Sequence, residues 1–264
     1  MLSGRPAPAC AHGDAHELIG SVSRLIAESP ANAGLYQRRA ELNLNHGDLK
    51  SAEADYQQAR RLQPERVVVS LGLARIRTAQ GRSKEAILLL DEFLLQVPGH
   101  AGGRVLRAGL LEAKGDWKKA EVDLRAAATT SPEPHHATLH AQLLERHGMA
   151  AEAVRCLDAA SQRQGRVPVL EQLALETEER AGHTEASLLR LNEFITLEPR
   201  PDIWLVRKAR LLEKNGRWEE AKTAWDLAAS ALERIPAHKR GTKANQSLAE
   251  KIQAARRITY PKPK

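Results

Sequence analysis

Residues 33–66 read AGLYQRRAELNLNHGDLKSAEADYQQARRLQPER, residues 67–100 read VVVSLGLARIRTAQGRSKEAILLLDEFLLQVPGH, and residues 101–134 read AGGRVLRAGLLEAKGDWKKAEVDLRAAATTSPEP. Set one beneath another, the rows keep glycine at Gly47, Gly81 and Gly115 and proline at Pro64, Pro98 and Pro132, a step of 34 residues each time. Alanine keeps the same step at Ala40, Ala74 and Ala108, and again at Ala52, Ala86 and Ala120. Several residue types in register at such a period, with helical patterning between them, are the mark of stacked helix pairs.

Each spacing has a physical task. An amphipathic segment from Tyr36 to His46 precedes Gly47, and the residue after a helix often takes a left-handed conformation that glycine adopts cheaply. Asp48 is placed to cap a second helix that runs to Leu62, and Pro64 prevents its continuation. Ala40 and Ala52 let the two helices approach, and Ala59 does the same toward the next pair. One pair cannot bury its own apolar stripe, so neighbouring pairs must stack. The segment Val67 to Ile76 holds three valines in a row, a local strand preference, but the unbroken register on both sides predicts a helix.

The pattern resembles the tetratricopeptide repeat, a family with small residues at the eighth, twentieth and twenty-seventh positions, glycine at the fifteenth and proline at the thirty-second. Ala40, Gly47, Ala52, Ala59 and Pro64 match in the first unit, Ala74, Gly81, Ala86 and Pro98 in the second, and Ala108, Gly115, Ala120, Ala127 and Pro132 in the third. Gly148, Gly182 and Gly216 continue the series at steps of 33, 34 and 34. Arg39 and Arg107 stand where the family often has leucine, and Asn43 replaces a usual aromatic, which predicts looser packing of the first unit. The resemblance implies an all-α fold: a right-handed α–α superhelix, or solenoid, of about six helix pairs with capping helices before and after. The boundaries expected are a tail over 1–11, a capping helix over 12–30, six repeats over 31–236, a capping helix over 237–258 and a basic tail over 259–264.

Charge is unevenly placed. The net +7 of the chain resides in residues 232–264, which carry nine Lys/Arg and two Asp/Glu, while the other residues hold 31 of each sign (40 less 9, 33 less 2). A neutral repeat body and few spare aromatics speak against sequence-specific nucleic-acid recognition, and the basic end offers only non-specific attraction to phosphate or acidic surfaces. No apolar run reaches the roughly 18 residues of a membrane span. Cys10 and Cys156 read as two thiols rather than a disulfide framework.

The amino end bears on compartment. Met1 to Ala11 lacks the apolar centre of about 7–15 residues that an export signal needs, which makes the chain as written cytoplasmic. Yet Ala9-Cys10-Ala11 has the form of a cleavage site, and His12-Gly13-Asp14 resembles the start that follows an export signal in some bacterial repeat proteins. A start upstream of Met1 would make the protein exported or periplasmic. Asp14 and Glu17 form a capping-box pair, and Leu18, Val22, Leu25 and Ile26 then make one apolar face that covers the first unit. Lys243 to Ile258 predicts a last helix with Ala244, Leu248, Ile252 and Ala255 on its packing side.

The chain carries no nucleophile elbow and no phosphate-cradling glycine loop, so no enzyme activity and no cofactor is expected. The resemblance implies instead a scaffold that binds a protein or peptide in a concave groove lined by the first helix of each pair. The fifth and ninth positions, which face that groove in the family, are Gln37 and Glu41, Leu71 and Arg75, Val105 and Gly109, Thr138 and Gln142, Gln172 and Glu176, and Val206 and Arg210. Glu112, Glu145 and Glu179 at the twelfth position add an acidic rail, and the glycines at 102 and 109 leave room for a bound segment. The lysine and asparagine with which some members grip a chaperone's terminal carboxylate are absent from these positions, so no such clamp is expected. An alternative is a metal- or ligand-binding accessory protein, using His135, His136, His140 and His147 of the fourth unit or His12 and His16 at the amino end. No metal ligand is assigned, since a bare pair of histidines four apart is common on helices.

Overall fold

The structure, a computed structural model, describes residues 10–65 and 67–258. The described residues are all-α, and the helices come in the expected alternation. Helix α1 (Cys10–Glu28) precedes six pairs: α2 (Ala33–His46) with α3 (Leu49–Leu62), α4 (Val68–Ala79) with α5 (Ser83–Gln96), α6 (Ala101–Ala113) with α7 (Trp117–Thr130), α8 (Pro134–Arg146) with α9 (Ala150–Arg163), α10 (Pro168–Arg180) with α11 (Thr184–Leu197), and α12 (Pro201–Lys214) with α13 (Trp218–Glu233). A one-turn helix α14 (Ala237–Arg240) and α15 (Lys243–Arg256) follow. The chain divides into two compact units, residues 1–143 and 144–264.

The periodic glycines end helices as their spacing requires. Gly47 has φ 89° and its N–H reaches back to the carbonyls of Asn43 and Leu44, and the five later members of the series share the positive φ. Asp48 then caps α3 by accepting from Ser51 N at 3.0 Å. The three valines before Leu71 do not make a strand: Val68 to Ala79 is helical, because Val69, Leu73, Ala74 and Ile76 fall on one buried stripe.

In the unit covering residues 10–143, Ala40, Ala52 and Ala59 are wholly enclosed, and Tyr56, Val69, Leu73 and Ile76 fill the space between one pair and the next. Tyr56 lies against the backbone of Gly72, where a Cβ would clash with the Cζ, Cε1 and Cε2 atoms of the phenol ring. That glycine, mid-helix and outside the periodic series, is required by close approach rather than by a turn. At the amino end only part of the expected apolar face is used: Val22 and Ile26 are enclosed against α2, whereas Leu18 and Leu25 are 47% and 44% exposed. Helix α1 also begins at Cys10, so Asp14 and Glu17 sit within it rather than opening it. The cleavage-site reading of residues 9–11 and the basic tail over 259–264 fall wholly or partly outside the described residues.

The arginines at leucine positions are not merely tolerated. Arg39 donates to both carboxylate oxygens of Asp55 at 2.8 and 2.7 Å, and Arg107 grips Asp123 at 2.7 and 2.7 Å, the same 16-residue separation two repeats further on. In the intervening pair the two positions are Leu73 and Leu89. Asn43, which was expected to loosen the first unit, is buried and extends its amide toward Asp55 at 3.4 Å. The hydrogen bonds from Arg107 to Asp123 hold its guanidinium pKa above the ordinary arginine value despite burial.

In the unit covering residues 144–258, the α12–α13 pair carries an extended cluster, with Leu212, Ala221, Trp225 and Ala228 enclosed and the Phe194 ring tilted against that of Trp204, centroids 4.7 Å apart. Where the fourth repeat lacks its closing proline, Gly165 (φ 78°) and Arg166 (φ 67°) make the turn instead. Arg166 is held in this unusual backbone by both carboxylate oxygens of Glu171, at 3.0 and 2.7 Å, and Ser161 Oγ accepts from Val167 N. Helix α15 closes on α13 through Ile252 and Ala255. Arg200 and Asn245, joined at 2.9 Å, tie it to α12 beside the enclosed Asp202.

Two stability measurements test these packing rules. Gly72→Ala is expected to lower unfolding free energy by about 1–3 kcal/mol, outweighing the helix-propensity gain of roughly 1 kcal/mol, and shortening Tyr56 to Leu alongside it should recover part of the loss. Asp123→Ala leaves Arg107 and Arg104 without their buried anion and should cost about 3–5 kcal/mol in urea unfolding, whereas the double change Arg107→Leu/Asp123→Leu, copying Leu73 and Leu89, should cost far less.

Candidate functional site

The first helices of successive pairs lie side by side: α2 touches α4, and α4 touches α6. On this face of residues 10–143, Gln37, Leu71 and Val105 occupy the fifth positions and each is half-buried. Leu71 rests on the cluster around Leu90 and Val105 on that around Leu124, so their outer atoms form a shallow apolar floor. Gln37 Nε2 donates to Glu41 Oε1 at 2.8 Å, and Arg75 Nη2 donates across to Asn45 Oδ1 on α2 at 3.4 Å. Burial pushes the Tyr56 hydroxyl up to about 12; Glu41 adds to the rise and Arg75 opposes it. Gly109 opens the floor on α6, with no atom within 4 Å of where its Cβ would be. Glu112 and Thr138 are half-buried and Gln142 is exposed; Thr138 turns its hydroxyl back to Pro134 O at 3.1 Å.

In residues 144–258 the same register gives Gln172 and Glu176, joined at 3.2 Å just as Gln37 and Glu41 are. Arg210 is exposed, but Val206 is 6% exposed and belongs to the core with Leu205 and Ala209, so it offers a partner almost nothing. The acidic rail is also not free charge here. Arg180 meets Glu145 at 2.7 Å, and Arg207 grips both oxygens of Glu179 at 2.9 and 2.8 Å. Arg180 lies 35 residues beyond Glu145 and Arg207 lies 28 beyond Glu179, pairings that residue type alone did not reveal.

One cleft, of about 510 Å³, adjoins Glu145 of the rail and its partner Arg180. Another, of about 520 Å³, opens between α3 and α5, lined by Arg60, Arg61, Arg77, Leu88 and Leu89 among others. Beyond it Leu88 and Leu95 stand 68% and 79% exposed on the second helix of the pair.

Residues 43–110 match the family model for the tetratricopeptide repeat. Residues 43–110 belong to the tetratricopeptide-repeat family, and six helix pairs carry the same register through the described residues. Among solved structures the chain is similar to a tetratricopeptide repeat protein from Parabacteroides merdae, at 16% identity and TM-score 0.50, with 92% of this chain and 94% of that one covered. It is similar to PilW, a type IV pilus biogenesis factor, at 16% identity and TM-score 0.55 over 72% of this chain and 89% of that one. Yeast Tom70 aligns at 19% identity and TM-score 0.52, with 94% of this chain covering 47% of that one. These likenesses are of fold. No curated protein matches the sequence.

The fourth-unit histidines are dispersed by the helix. His136 and His140 are buried, while His135 and His147 are exposed. His140 Nε2 lies 2.9 Å from Glu121 Oε1 on α7, and the His136 ring sits 6.0 Å from that of His135. At the amino end the ring of His16 meets that of His46 edge-on at 4.6 Å, and the side chain of His12 is outside the described residues. Among the described residues no three His, Cys, Asp or Glu side chains are grouped to hold a metal ion.

Burial holds the His140 pKa below the ordinary imidazole value, and Glu121 only partly opposes this. The unfolded chain, titrating near ~6.5, therefore takes up a proton more readily than the folded one. Stability is complete above the unfolded value and declines as pH falls through it toward the lower folded value. His140→Gln removes that component: between about pH 7.5 and pH 5, the fall in the urea midpoint should be smaller in the variant than in the parent.

Proposed function

We propose that this protein is a non-enzymatic scaffold that holds an extended protein segment against the first-helix face of residues 10–143. The observation that carries the reading is the floor formed by Gln37, Leu71 and Val105, half-buried at one repeat position on three adjacent helices, with Gly109 leaving open space beside it. A face that is part apolar and part polar, with its amides and carboxylates at regular spacing, suits a peptide whose side chains enter at intervals while its backbone finds Gln37, Arg75 and Gln142. The tetratricopeptide family is generally one of interaction modules rather than catalysts.

Several features bound the partner's chemistry. The fifth and ninth positions lack the lysine and asparagine of a carboxylate clamp, so recognition of a chaperone's free terminus is not part of the proposal. In residues 144–258 Gln172, Glu176 and Arg210 extend the same register, but Val206 is withdrawn into the core. The binding surface is accordingly assigned to Gln37, Glu41, Leu71, Arg75, Val105 and Gly109 first.

The test is a selection of linear peptides on the purified protein, followed by titration against two variants. Leu71→Glu/Val105→Glu should weaken selected peptides at least tenfold, with helical content by circular dichroism unchanged. Leu88→Glu/Leu95→Glu, on the second helix, should leave them unaffected. Peptides that lose affinity only with the second variant would move recognition off the first-helix face.

A further inference from the structure

Many arginines of the repeat body are engaged. Arg39, Arg77, Arg104, Arg107, Arg190, Arg207 and Arg217, for example, each meet a carboxylate within 3.0 Å. From Glu233 onward this changes. Among the described residues, Arg234, Lys239, Arg240, Lys243, Lys251 and Arg257 are exposed and have no carboxylate partner, and Arg256 alone is paired, to Asp226 at 2.7 Å. The acids of this stretch are Glu233 and Glu250. These cations are not on a loose strand. Helix α15 is pinned to α13 through Ile252 and Ala255, and Asn245 joins Arg200 at 2.9 Å and Lys239 O at 2.7 Å.

We propose that α14, α15 and the residues flanking them form a docking surface for nucleic acid, gripping the phosphate backbone without regard to sequence. Three observations favour this occupant over a bilayer or an acidic protein. The apolar side of α15, with Leu248, Ile252 and Ala255, is already used against α13, so no free apolar face remains to enter a lipid interface. An acidic protein surface would be matched by apolar anchors at the centre of the contact, and Ile258 is the only large exposed hydrophobic residue on the described part of this segment. Lys243 and Lys251 on the 14-residue α15, about 21 Å long, with Arg257 just past its end and Lys239 and Arg240 on α14 before it, spread positive charge over a distance that fits a ligand presenting charge continuously. The surface carries no exposed aromatic side chain among residues 234–258, so base stacking is not part of the contact.

This inference does not depend on the peptide groove. It is tested on the full chain by fluorescence anisotropy with two unrelated 20-base-pair DNA duplexes at about 50–200 mM salt. Both duplexes should bind with the same Kd, and affinity should fall about a hundredfold or more over that range, a log–log slope of about −4 to −5. Lys239→Gln/Arg240→Gln/Lys243→Gln/Lys251→Gln should weaken binding at least tenfold at the low-salt end and flatten the slope by about 3–4. Arg60→Gln/Arg61→Gln should change neither. An unchanged slope in the quadruple variant, or no duplex binding at the lowest salt, would overturn the proposal. So would equal or tighter binding to vesicles containing phosphatidylserine, or to polyglutamate, at matched ionic strength.

Discussion

Close contact between helices at alanine is the constraint from which the architecture follows. Ala40, Ala52 and Ala59 are all wholly enclosed, and the same is true of Ala74 and Ala86 in the next pair. A methyl group at the crossing brings two backbones near enough for larger side chains on either side to interlock. Tyr56, Leu90 and Phe93 then fill the gaps to the following pair. Because these positions recur each period, the helix faces left over recur as well. Gly72 carries the same logic further: there even a methyl is excluded, because the Tyr56 ring lies too close to where it would stand.

Upon this apolar frame the chain varies its polar chemistry by substitution in pairs. One register pair is Arg39 with Asp55, then Leu73 with Leu89, then Arg107 with Asp123. An ion pair and a leucine pair are interchangeable there because each fills the space and leaves no polar group unsatisfied. Arg190 shows a denser version, donating to Asp158 at 2.8 and 2.9 Å and to Glu178 at 3.1 and 2.8 Å; burial depresses its pKa, yet the two carboxylates raise it overall. Such internal pairing leaves the body with little net field. The unpaired cations of α14 and α15 therefore dominate the electrostatics of the segment they occupy.

Helix ends, pair order and the helical state of the three valines were all legible in the residues. Glycine, proline and alanine act through backbone conformation and local volume, and those effects are set within a few residues of where they stand. The family resemblance likewise rested on single positions and did not need to know what each touches. The surface was harder to read. Val206 occupies a groove position by register but a core position in space, and Glu145 and Glu179 look like an acidic rail until Arg180 and Arg207 are seen beside them.

The division has a physical cause. Periodicity specifies which residues share a helix face, and hence the repeating pair and its caps, because the helix geometry is the same wherever the chain lies. It does not specify the rotation of one helix against the next, and a small rotation decides whether Val206 meets solvent or Leu205 and Ala209. Nor can it match charges that lie far apart in the chain, since Arg180 and Glu145 become partners only when their helices are packed. Which residues build the fold was written in local sequence; which of them remain available to another molecule was settled by packing.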